Sequence, residues 1–163
     1  MRRIILSSAL LFLATAFGCG SNLRWEELSP AEGKFSAQMP GKAVKEITGD
    51  ADAPFTHYTV ELHLVTYSII YCDLLPGDPG VTLARFRSYW ARKKWTVTKV
   101  TEFPEDGCIW ELEAKMDGER DQYYSGRKFE TPTRAYEVKV QGPRATLSNP
   151  YVRKFLDSFK VIK

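Results

Sequence analysis

Val65-Thr66-Tyr67-Ser68-Ile69-Ile70-Tyr71-Cys72 is apolar on both of its parities. Successive side chains of a strand point to opposite faces, so Tyr67, Ile69 and Tyr71 fall on one side and Ile70 and Cys72 on the other. A strand with no polar side is central and covered on both faces. Phe55 to Leu62, just before it, is rich in residues that suit a pleated surface and pairs with it. Working toward the C-terminus, Leu75-Pro76-Gly77-Asp78-Pro79 is a turn in which Asp78 caps a helix starting at Pro79. Leu83, Phe86, Tyr89 and Trp90 continue at helical spacing. Trp95 to Thr101 returns to strand, and Glu105-Asp106-Gly107 signals a hairpin.

Cys108, Trp110, Leu112, Ala114 and Met116 share one face of the next strand. Asp117-Gly118 reverses the chain and Arg120 to Phe129 pairs back, with Gly126 marking a bulge or a close approach. Arg134 to Gln141 alternates, with Tyr136, Val138 and Val140 inward and Glu137, Lys139 and Gln141 outward. Asn149-Pro150 opens a helix whose Val152, Phe155, Leu156 and Phe159 form an apolar stripe. Toward the N-terminus, Lys34 to Met39 reads as a strand stopped by Pro40-Gly41, and Lys42 to Pro54 as loop or ragged edge strand. The expected fold class is α+β: one domain over residues 25–163, an antiparallel β-sheet meander covered by two or more helices.

The first twenty-one residues give an address. Arg2 and Arg3 precede Ile4 to Phe17, a run without charge that is too short to span a bilayer, where about twenty apolar residues are needed. It has the form of a secretory signal core. Ala14-Thr15-Ala16 offers a cleavage site that would free a soluble chain beginning at Phe17. Ala16-Phe17-Gly18-Cys19 instead resembles the lipobox of bacterial lipoproteins, with Ala16 where Leu is usual and Phe17 bulkier than usual. That resemblance implies a signal over residues 1–18, acylation of Cys19, and a lipidated tether over 19–24.

The chain has three cysteines, Cys19, Cys72 and Cys108. An odd cysteine in an exported protein needs a reason, and lipidation of Cys19 supplies it. Cys72 and Cys108 then form an even pair, either a disulfide or two buried thiols. No acidic retention signal follows Cys19, which leans toward the outer membrane of a bacterial cell envelope, with the domain in the periplasm or at the surface.

Charge narrows the function classes. Lys+Arg number 23 and Asp+Glu 20, and removing Arg2 and Arg3 leaves 21 − 20 = +1. That balance lacks the footprint of a nucleic-acid binder. Composition is that of a folded domain, with no repeat or low-complexity segment.

Phe35-Ser36-Ala37-Gln38-Met39-Pro40, the Tyr67 to Asp73 segment and Phe155-Leu156-Asp157-Ser158-Phe159-Lys160-Val161 together resemble uncharacterised envelope lipoproteins with a PsbP-like or DcrB-like α/β/α sandwich. The resemblance spans most of residues 34–162. It implies an accessory or binding module and carries over no catalytic residue.

Motifs for chemistry are missing. His57 and His63 on one strand would stand about 20 Å apart, and no other ligands are spaced to complete a metal site. Gly-x-Ser-x-Gly, Ser-x-x-Lys and the phosphate-cradling glycine loops are absent. Asp117, Glu119 and Asp121 lack the spacing of a calcium loop and read as turn residues. Arg85, Arg92, Lys93 and Lys94, interleaved with Tyr89, Trp90 and Trp95, form a candidate surface for anionic headgroups or cell-wall polymer; the same pattern fits a helix with its aromatics inward and its cations in water. The sequence therefore points to a membrane-anchored, non-catalytic binding or scaffold module with no cofactor, whose partners are the membrane, through the lipid, and an envelope protein or polymer. The alternative is a periplasmic enzyme whose site gathers scattered residues, with Asp73, Arg127 and Arg134 as its candidates.

Overall fold

In a computed structural model, residues 23–49, 51, 54–75, 77, 91, 94–102, 108–116 and 122–162 are described. Ten strands account for most of them: β1 (Glu26–Leu28), β2 (Phe35–Met39), β3 (Val44–Thr48), β4 (Phe55–Leu62), β5 (Val65–Asp73), β6 (Trp95–Glu102), β7 (Cys108–Met116), β8 (Tyr123–Thr131), β9 (Arg134–Gly142) and β10 (Lys160–Val161). The described helices are α1 (Arg144–Leu147) and α2 (Pro150–Ser158). The signal, Cys19, the stretch expected to be helical from Pro79 to Trp90, and the turns at Glu105–Gly107 and Asp117–Gly118 lie outside the described residues.

Seven strands form one antiparallel sheet in the order β3-β4-β5-β9-β8-β7-β6. It joins two meanders, β3-β4-β5 and β6-β7-β8-β9, along the β5–β9 seam, where Ile69 faces Val138 and Tyr71 faces Tyr136. β5 is thus interior, as its double apolar parity requires. The polar segment after Gly41 holds an edge strand, β3, paired to β4 from Val44–Thr59 to Thr48–Phe55.

The expected α+β sandwich, with two or more helices covering the sheet, is corrected: among the described residues the fold is mostly β, two sheets with two short helices. The reason lies in what covers the first meander. β2 leaves the large sheet and pairs with β1 and β10 in a second, three-stranded sheet. Its Phe35, Ala37 and Met39 pack on Tyr58, Val60, Tyr67, Ile69 and Tyr71, together with Val152, Phe155 and Leu156 of α2. Nine residues of α2 are about 13 Å long, whereas the six strand steps of the large sheet span about 29 Å, so the helix alone could not cover it. Phe35 sits at the centre, with its ring stacked on Phe159 at 5.4 Å and edge-on to Tyr58 at 5.8 Å.

The large sheet changes its apolar side partway across. Over β4, β5 and β9 the apolar residues lie on the side of the small sheet. Over β6, β7 and the start of β8 they lie on the opposite side, where Trp95, Trp110, Leu112, Ala114 and Tyr124 are buried together. β8 serves both layers, with Phe129 in one and Tyr124 in the other. β6 contributes Trp95, Val97 and Val100, spaced by two and then three. A register shift between Val97 and Lys99 absorbs the extra residue and keeps all three on one side.

Gly126 marks a close approach. A Cβ there would lie 2.5 Å from Tyr124 Oη, 2.7 Å from its Cζ and 2.8 Å from the Val138 carbonyl oxygen. The bare backbone lets the Tyr124 ring lie across β8, the way aromatic rings shelter strand glycines elsewhere. Gly126→Ala is expected to cost about 1–3 kcal/mol of stability, since ring and backbone must both move. Chemical denaturation of the variant measures this, and an unchanged midpoint would refute the close packing.

Candidate functional site

Three charged clusters are built on the sheet. Each follows from a strand register that places opposite charges side by side.

The first lies where the α2 layer meets the polar half of the sheet. Glu111 and Arg127 are cross-strand partners on β7 and β8. Arg127 Nε donates to Glu111 Oε2 at 3.0 Å, Nη1 to the Leu156 carbonyl at 3.1 Å and Nη2 to Asp157 Oδ1 at 2.6 Å. Arg153 Nη1 reaches the same Glu111 oxygen at 3.0 Å. Burial works against the Arg127 charge, but Glu111 and Asp157 outweigh it and raise its pKa. The guanidinium thus ties the C-terminal turn of α2 to the sheet, satisfying a carbonyl the helix leaves open.

The second cluster sits on the other side of the sheet. Glu137 Oε2 is 3.3 Å from Lys128 Nζ, and Oε1 is 3.6 Å from Lys139 Nζ. Tyr124 Oη donates to Glu137 Oε1 at 3.4 Å. The sequence places Glu137 and Lys139 outward, yet their side chains are only 13% and 16% exposed. Burial pushes the Glu137 carboxyl up, and Lys128 with Lys139 overcomes it, holding the group below its ordinary range. Tyr124 is pushed far up, first by burial and then by the Glu137 charge. Alternation alone misses this cluster. The usable signal was three charges on adjacent strands flanking a glycine.

The third lies at the end of the sheet remote from the β4–β5 hairpin. Asp73 and Arg134 are register partners on β5 and β9. Arg134 Nε donates to Asp73 Oδ1 at 2.6 Å and Nη1 to the Glu32 carbonyl at 2.6 Å. Its guanidinium lies 4.7 Å over the Tyr71 ring. Beside it, Lys45 Nζ and Tyr58 Oη donate to Glu32 Oε1 at 2.8 and 2.9 Å. Lys45 above all, then a backbone N–H and Tyr58, hold the Glu32 pKa down at about 2. Tyr58 is pushed up to about 12, by burial and then by its bond to Glu32.

Because the folded-state value of Glu32 lies below its ordinary 4.5, its contribution to stability is present above pH 4.5 and fades as pH falls toward about 2. Wild type and Glu32→Gln are expected to differ in melting temperature near neutral pH and to converge by about pH 2. A difference that does not change with pH would show that Glu32 titrates normally.

The residues of the enzyme alternative are not gathered into one site. Asp73 and Arg134 meet, but Arg127 pairs in register with Val138, four residues along β9 from Arg134, about 13 Å away. His57 Nε2 is 2.9 Å from Thr48 Oγ1, while His63 forms the β4–β5 turn at φ 52. Among the described residues no three His, Cys, Asp or Glu side chains group as metal ligands. A cleft of about 150 Å³ between β1 and the β2–β3 connection, lined by Glu27, Met39, Lys42 and Tyr58, is below the size of common small-molecule sites.

Topology argues against the candidate disulfide. β9 and β8 stand between β5, which carries Cys72, and β7, which carries Cys108. Three strand steps of about 4.8 Å separate the two backbones by about 14 Å, twice the reach of a disulfide. Of the candidate anionic-surface residues, Arg85, Arg92 and Lys93 lie outside the described residues, as does the lipidation candidate Cys19. Lys94 is exposed, at φ 60 just before β6. No protein-family model matches the chain, and no curated protein is significantly similar to it.

Proposed function

We propose that the chain is a lipid-anchored module of the bacterial envelope that binds or scaffolds a partner and performs no catalysis of its own. The observation that carries this reading is the N-terminal order: a positive pair, an uncharged run, and Gly18-Cys19. Acyl chains contribute about 0.8 kcal/mol per buried methylene, so two or three of them hold a domain at a bilayer. The charge clusters favour a module over an enzyme. Arg127 and Arg134 each donate to a carboxylate and a backbone carbonyl, which leaves little of either guanidinium for a substrate. The end carrying Asp73, Arg134, Glu32 and Lys45 lies opposite the N-terminal tether and is the end a partner would meet.

The intact mass of the mature protein from bacterial membranes tests this. The expected mass is that of a chain beginning at an acylated Cys19. A mass for an unmodified chain beginning at Phe17 would replace the anchored module with a soluble secreted protein.

A further inference from the structure

We propose that the end of the domain formed by Trp25, Tyr151 and Lys154, with Leu64 at a neighbouring hairpin tip, lies against anionic lipid and fixes how the domain stands on the membrane. The inference rests on the anchor proposed above.

Chain length sets the geometry. Leu23 is four chain steps from Cys19, and at a limit of about 3.6 Å per step they reach about 14 Å. Whatever surface surrounds Leu23 and Trp25 is therefore held within that distance of the lipid anchor.

That surface suits a membrane interface. The Trp25 ring meets Tyr151 at 6.1 Å, and Lys154 Nζ lies 4.1 Å over it. Trp and Tyr, with an apolar body and a polar tip, favour the headgroup layer, and lysine stems reach through it. Tyr151 is 39% exposed, a large aromatic at the start of α2 with water on one side. The Arg24 and Arg153 side chains are 88% and 59% exposed. Of the neighbouring acids, Glu26 lies 3.9 Å from Arg24 and Glu111 lies under Arg153 and Arg127. Glu27 is the exposed acid on β1.

Register shows that other suitable residues share this end. β1 begins opposite Met39, and the Gly41 turn after it packs on Val60, near the end of β4. Leu64, two residues past β4, is 70% exposed at the hairpin tip, an apolar side chain that folding leaves in water. β9 ends and β8 begins at the same end, since Gly142 pairs with Tyr123 and lies against the Leu64 carbonyl. There Lys115 and Arg144 lie 5.9 and 5.7 Å from the Tyr123 ring. Cations beside aromatics, an exposed leucine and the tether thus coincide at one end. Each lysine or arginine near an anionic surface strengthens attraction about fivefold.

The test uses the mature acylated protein in vesicles of phosphatidylglycerol and phosphatidylethanolamine, with and without brominated acyl chains. In a Trp90→Phe background, brominated lipid should quench tryptophan emission, and adding Trp25→Phe should remove that quenching, because the two remaining tryptophans, Trp95 and Trp110, are 7% and 6% exposed inside the sheet's second core. The double variant Arg24→Glu/Lys154→Glu keeps every tryptophan; its quenching should drop on anionic but not on zwitterionic vesicles. Equal quenching with and without Trp25→Phe in the Trp90→Phe background, with circular dichroism unchanged, overturns the orientation while leaving the anchor intact. A mass without acyl groups on Cys19 overturns the anchor and this inference together.

Discussion

Glu137→Ala is expected to cost about 3–5 kcal/mol of folding stability, because it removes the carboxylate that balances two mostly buried ammonium groups. Lys128 and Lys139 lie 3.3 and 3.6 Å from the two carboxylate oxygens of Glu137, so its removal takes an ion-pair partner from both in a site of low dielectric. For a domain of this size that loss lowers the melting temperature by on the order of 10 °C. Urea denaturation of wild type and variant gives the free energy. A companion variant separates removal from replacement: Lys128→Met/Glu137→Leu/Lys139→Met deletes all three charges and should fall near wild-type stability. A loss below about 1 kcal/mol for Glu137→Ala would mean that water screens the cluster as it does surface pairs.

Phe155→Ala is the second large effect, at about 3–5 kcal/mol, the range for deleting a buried aromatic. Phe155 is 0% exposed and meets Tyr67 edge-to-face at 5.4 Å. It joins α2 to β5, in a core that also buries Val140 of β9 and Met39 of β2. Native domains hold about 5–15 kcal/mol in all, so the variant would sit close to unfolding at growth temperature. Denaturation at 25 °C and amide exchange in α2 measure it together. A cost under about 1.5 kcal/mol would show α2 to be an attachment that the sheets do not need.

Both effects belong to side chains whose roles were unequally visible in the chain. Phe155 stood in an apolar stripe with Val152, Leu156 and Phe159; Val152, Phe155 and Leu156 are the buried face of α2, while Phe159 is buried just past the helix in extended backbone. Glu137 stood among the outward residues of an alternating strand, and alternation reports only which side a residue takes. Whether that side meets water depends on what covers it. Here the sheet reverses its apolar side between β9 and β7, so the outward side of β9 adjoins the buried cluster of β7.

Arg127 shows the same limit. Its strand position was legible, but its bonds reach residues 29 and 30 positions away in α2. No local pattern encodes that distance. Cys72 and Cys108 each sat on the expected strands, and only the strand order put two strands between them.

The sequence by itself determined the strands from Phe55 onward that the structure describes, the apolar helix at the C-terminus and the interior place of β5. Those follow from periodicity, turn residues and caps, which act within a few residues. Tertiary structure decided that β2 leaves the large sheet for β1 and β10, that the two cores lie on opposite sides, and that the charges pair as they do. These depend on which distant surfaces exclude water from one another, a choice made by the whole chain's apolar area and registers at once.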